Sequence, residues 1–201
     1  MKKMLCALIA MIMLISGFAM AETIAPQFEN FNTTDASYSA GFDRADIKDG
    51  VIENVRLCTD DIYDIVDVDK MAVGDTFEAE GNTVTIESIE RDEIGNFNIN
   101  GGMDAENGYT LTTEDDTNGW MTMLDDDLTT HTERGVVTLP MAENVTFTDS
   151  SDLESEPVTV TGIEAVTQAI MDSQNDSFYP DNTDIVIEGG QITQINRIFV
   201  P

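Results

Sequence analysis

The sequence predicts a mainly β fold, an antiparallel sandwich or distorted barrel with one short α-helix near the C-terminus. Three observations carry this expectation. Short runs rich in Val, Ile, Thr and Phe recur along the chain with turn residues between them, the pattern of an all-β domain. Three of the turns read Asp49-Gly50, Glu80-Gly81 and Gly189-Gly190, dipeptides suited to the left-handed backbone of a tight hairpin. One stretch, 163–171, repeats its apolar residues at helical spacing through Ile163, Val166 and Ile170.

Taken in order, residues 1–21 read as a secretory signal peptide. Lys2 and Lys3 precede an apolar run from Met4 to Ile15, and small residues end in Ala19-Met20-Ala21, the three parts such a leader needs. Cleavage after Ala21 would start the exported chain at Glu22 and place it outside the cell or on the exterior of its envelope. The apolar run is shorter than the ~20 residues of a membrane-spanning helix. Residues 22–38 are polar, carry Pro26, and read as an extended arm. Residues 39–201 are expected to form a single mainly-β domain.

Within it, 46–48 and 51–57 form a first hairpin around Asp49-Gly50, and 76–79 with 83–89 a second around Glu80-Gly81. In the latter, Val84 and Ile86 alternate with Thr83, Thr85 and Glu87, which marks a half-buried strand. Further strands are expected at 94–99, 109–113, 120–124, 135–139, 145–148 and 158–161. Residues 149–157 read as a polar loop. Thr161 and Glu164 form a capping box that would open the helix, which ends near Ser173. A last hairpin joins 184–188 to 191–200 through Gly189-Gly190.

Charge excludes several partners. The chain has 9 basic and 39 acidic residues and a formal charge of −30. Loss of Lys2 and Lys3 with the leader deepens it by two. Such a surface repels nucleic acid and anionic membranes and suits a soluble protein with a protein or glycan partner outside the cell. Of Cys6 and Cys58, the first leaves with the leader, so the exported chain closes no internal disulfide. Cys58 is expected to be a small buried side chain on a strand.

The catalytic inventory is short. His131 is the one histidine, so it is the only available base for a Ser-His-Asp or Cys-His arrangement. No Gly-x-Ser-x-Gly elbow presents a nucleophile, and Thr129-Thr130-His131-Thr132 reads as an exposed loop. Cys58 and His131 alone cannot build a zinc site, and no glycine-rich phosphate cradle is present. No catalytic residue or resident cofactor is therefore assigned. Calcium is the one cofactor the spacing allows. Glu114, Asp116, Asn118, Trp120, Thr122 and Asp125 fall at positions 1, 3, 5, 7, 9 and 12 of a calcium loop, with Gly119 sixth. Glu114, Asp116, Asn118 and Asp125 would supply side-chain oxygens and Trp120 its carbonyl. The flanks lack helices, and a solvated hairpin turn is the simpler reading. Tyr109 and Trp120 are the aromatic candidates for a ligand-binding face. These features point to an exported, non-enzymatic binding module. The alternatives are a small hydrolase using paired carboxylates, or a cation-binding domain.

Overall fold

The computed structural model describes residues 23–28, 30–113, 119–125, 128–173 and 178–200. The leader read at Met1–Ala21 lies outside them.

The chain enters through β1 (Thr23–Ile24), crosses β2 (Ala36–Gly41), and turns through a 3-10 segment at Arg44–Asp46 into the hairpin β3 (Ile47–Lys48) and β4 (Val51–Asp60). An excursion follows: β5 (Ile62–Asp64), α1 (Ile65–Val68), β6 (Thr76–Ala79), β7 (Asn82–Thr85), β8 (Ile89–Arg91), β9 (Phe97–Ile99), β10 (Tyr109–Thr112), β11 (Trp120–Asp125) and β12 (Leu128–Thr129). The chain returns in β13 (His131–Ser150), β14 (Val158–Thr161), α2 (Ile163–Asp172), β15 (Thr183–Glu188) and β16 (Gln191–Ile198). The fold is mainly β with one short helix near the C-terminus, as the sequence predicts.

All three hairpin turns sit where the dipeptides place them. Asp49 and Gly50, Glu80 and Gly81, and Gly189 and Gly190 each have φ between 50° and 79°. Consecutive positive φ values give a turn whose twist matches that of the strands.

The longest strand organises the larger sheet. The first half of β13 pairs antiparallel with β4, from His131↔Asp60 to Pro140↔Val51. Its second half pairs parallel with β16, up to Ser150↔Ile198. Since β16 pairs β15, β15 pairs β2, and β2 pairs β4, the ring of strands closes on itself. The sequence reading divides this strand into 135–139 and 145–148. Pro140 invites the division because it lacks an N–H. It stands where β13 leaves β4, so the missing donor falls at the exchange of partners. Two pairings depart from an antiparallel plan: β13 with β16, and β1 with β6.

Inside the ring lies one hydrophobic core, including Ile52, Leu57, Val145, Phe147, Ile185 and Ile195. The helix α2 contributes Val166 and Ile170, both without exposed surface. Its expected capping box does not form. The N-cap is Gly162 at φ 96°, with no side-chain capping bond. Thr161 is still strand, paired with Thr146 in the β13–β14 ladder, and the cap position falls one residue later.

A second core lies within the excursion and includes Tyr63, Phe77, Ile86, Leu111 and Met123. It is enclosed by the sheet β12-β11-β10-β9-β8, with β5 also on β11, and by the small sheet β1-β6-β7.

The described part of the polar arm expected at 22–38 makes contacts with the sheets. Ile24 is buried in the second core, Gln27 N–H bonds the Ile62 carbonyl at 2.7 Å, and β2 begins at Ala36. Phe31 lies over Gly135, where a Cβ would come within 3.2 Å of its ring. The apolar residues of a polar segment find cover only once the sheets exist. Among the described residues no helix is long and apolar enough to cross a membrane.

Candidate functional site

The ends of β4 and β13 bring together residues that sequence reasoning left apart. Asp60 and His131 are ladder partners, and His131 Nε2 stands 3.2 Å from Asp60 Oδ1. His131 Nδ1 stands 3.4 Å from Asp181 Oδ1 in the turn before β15. The imidazole is 12 % exposed. The expectation of an exposed loop histidine is thus overturned, because β13 starts at His131 and the pairing draws the ring against β4.

Ser39 on β2 extends the array. Its hydroxyl lies 3.0 Å from Asp60 Oδ1 and 3.2 Å from Asp184 Oδ1. Asp184 sits opposite Ser39 in the β15–β2 ladder. A hydroxyl has one hydrogen to donate, so both contacts are satisfied together when Asp184 carries a proton. Burial, chiefly, and the Asp60 charge push the Asp184 pKa up. The His131 hydrogen bond holds the Asp60 carboxyl below its ordinary range, against the effect of burial. At His131 burial favours the neutral ring, but the Asp60 hydrogen bond and the charges of Asp60, Asp181 and Asp61 outweigh it, and the pKa is raised.

This array lines a cavity of about 320 Å³ that Pro180 and Phe199 also border. A second cavity of about 500 Å³ shares Ser39, Asp60 and Asp184 with it. A third, of about 780 Å³, shares Gln27, Ser37, Tyr38 and Thr59 with the second. Neighbouring members share lining residues, so the three adjoin in a row as a trough. At its far end stand the half-exposed rings of Phe28 and Phe31, with Asn30 and Asn32 beside them. Arg134 stacks on Phe28 at 4.0 Å and donates from Nε to Thr59 Oγ1 at 2.8 Å, which fixes that ring against the strands.

The candidates read from sequence lie elsewhere. Tyr109 is 8 % exposed, edge-on to Phe77 in the second core, with its hydroxyl donating to Glu80 at 3.0 Å. It offers no stacking face, because the inward register of β10 claims its ring. Trp120 opens β11, paired with Asp64, and its side chain lies outside the described residues. So do Glu114, Asp116 and Asn118. Asp125 ends β11, opposite Leu128. Among the described residues no group of three or more His, Cys, Asp or Glu is placed to hold a metal ion. Cys58 is buried on β4, and burial with the Glu133 charge pushes its thiol up to about 11, far from the range of a reactive thiolate.

Ser39, Asp60, Asp181 and Asp184 escaped the sequence reading for a plain reason. Among 39 acidic residues, three aspartates carry no mark, and only pairing of β2, β4, β13 and β15 selects them. Comparison with protein-family models, curated proteins and solved structures finds no match to this chain.

Proposed function

We propose that the chain is an exported, non-enzymatic binding module that holds an extended glycan in this trough. The single observation behind the reading is the continuity of the three cavities through shared residues. The chemistry along them fits polyhydroxylated ligands. Phe28 and Phe31 offer ring faces for the apolar side of a sugar. Hydroxyls and amides of Ser37, Thr59 and Asn196 exchange hydrogen bonds with neutral hydroxyl groups. Asp60 and Asp184 accept from vicinal hydroxyls.

Titration calorimetry against a panel of neutral polysaccharides tests the reading. Binding to at least one member is expected, weakened about tenfold by Phe31→Ala, as for an interface anchor. Binding to oligolysine but to no polysaccharide would replace the glycan with a basic peptide.

A second reading has its own observation. Asp60 and Asp184 share Ser39 while their pKa values are pushed in opposite directions, the condition for a base and an acid in one site. Release of reducing ends from a bound polysaccharide, abolished by Asp184→Asn, would make the chain a hydrolase.

A further inference from the structure

We propose that His131 is a pH-operated latch between the barrel wall and the turn Tyr179–Asn182, closing the acidic end of the trough when the imidazole is charged and releasing it when the ring is neutral.

The two ring nitrogens each face a carboxylate, Nε2 toward Asp60 at 3.2 Å and Nδ1 toward Asp181 at 3.4 Å. An imidazolium has two N–H groups and serves both. A neutral ring has one, so its other nitrogen then turns a lone pair toward a carboxylate and that contact parts.

The ladder decides which one. His131 and Asp60 are held opposite each other by the pairing of β13 and β4, and Asp60 is further tied to Ser39. Asp181 stands on a turn, closed by Asn182 N–H to the Tyr179 carbonyl at 3.0 Å. The turn contact yields first. Pro180 and Asp181 border the 320 Å³ cavity, so their release widens that end of the trough and frees a carboxylate there.

The charged groups facing the ring come from every element packed on it. Strand β4 brings Asp60 and Asp61, the turn brings Asp181, and β15 brings Asp184. All are acidic, and of these Asp60, Asp181 and Asp61 hold the proton on the imidazole above its ordinary pKa. The latch therefore opens at a pH above the ordinary imidazole pKa of ~6.5. The latch rests on the two carboxylate contacts and the acidic surroundings of the ring, while its effect on a ligand rests on the glycan reading.

His131 is the one histidine of the chain, so its imidazole resonances in a carbon-proton NMR titration need no assignment by mutation. The expected midpoint lies above the ordinary value of ~6.5. Amide hydrogen exchange at Tyr179, Asp181 and Asn182, corrected for its intrinsic pH dependence, should quicken severalfold as pH rises through that midpoint. Asp181→Asn should lower the midpoint and remove the step. A midpoint at or below ~6.5, or exchange in the turn without a step, overturns the latch, and both are read on the unaltered chain if the variant fails to fold. Polysaccharide affinity is measured in parallel and should rise at least threefold above the midpoint. An intact latch with no polysaccharide bound at either pH refutes the glycan reading alone.

Discussion

Asp61 carries the junction between the two cores. Its carboxylate is fully buried and accepts from Thr132 Oγ1 at 2.6 Å, Thr130 Oγ1 at 2.9 Å and the Glu80 N–H at 2.8 Å. Thr132 passes the link on by accepting from the Gly81 N–H at 3.1 Å. The hairpin tip at Glu80-Gly81 is thereby tied to β13. Asp61→Ala strands two buried hydroxyls and a part-buried N–H, and a loss of about 3 kcal/mol in urea unfolding is expected. A change below about 0.5 kcal/mol would mean that the junction is held by other contacts. Arg197 is a second such residue, 2 % exposed, bidentate to Asp149 and stacked 4.9 Å from the centre of Phe178. Arg197→Ala leaves the half-buried carboxylate of Asp149 without its fork, and a loss of about 3 kcal/mol is expected in the same measurement. Burial raises the Asp149 pKa, but bonds from Arg197 and Ser151 more than offset it, and the net shift is downward. Its contribution is present above the unfolded carboxylate value and is lost only as pH falls through the lower folded value. Neither residue is conspicuous in the sequence. Each is one charge among many until strands separated by dozens of residues enclose it.

At the scale of elements, α2 was legible and its cap was not. The apolar positions Val166 and Ile170 are buried against the barrel core, as their spacing requires. Ile170→Ala is expected to cost about 2–5 kcal/mol, checked by the thermal midpoint, whereas Thr161→Ala should change stability little because Thr161 caps nothing. Hairpin turns were legible because their geometry is local. At Gly50 a Cβ would also meet Ile163 Cγ2 at 3.1 Å, so Gly50→Ala combines a φ of 79° with crowding against α2 and should destabilise by about 1–2 kcal/mol. The acidic stretch 114–127, part of which lies outside the described residues, is tested directly by calcium. If it is a solvated turn, calcium and sodium chloride of equal ionic strength raise the melting temperature alike. An excess for calcium that Asp116→Ala removes would establish the cation site.

The whole molecule is governed by its charge of −30. Folding gathers carboxylates, and their repulsion is relieved by acid or salt. The individual groups agree on the sign between pH 8 and 5. His131 has a raised folded pKa, so its contribution is complete below ~6.5 and is lost as pH rises through the folded value. Asp184 is also raised, and the strain of keeping it ionised is relieved as pH falls. Asp60, Asp149 and Asp152 are lowered, so their losses begin only below the unfolded carboxylate range near ~4. Melting is therefore expected at higher temperature at pH 5 than at pH 8 in low salt, with the gap narrowing as salt is added. A midpoint independent of both pH and salt would refute the repulsion. Export is tested by intact mass, with cleavage after Ala21 as the expected result and a secreted species that retains Met1–Ala21 as the contrary one.

The sequence by itself determined the strand-rich class, the three tight turns, the helix and its buried face. These follow from backbone preferences and periodicities that act within a few residues. Tertiary structure alone decided that β13 serves two partners and closes a ring, and that the arm is packed down at Phe31 on Gly135. It likewise decided that Tyr109 faces inward and that His131 is held between Asp60 and Asp181. Each of these depends on which strand lies beside which. That choice is made by burying whole faces against one another, and local sequence pattern carries no record of the partner.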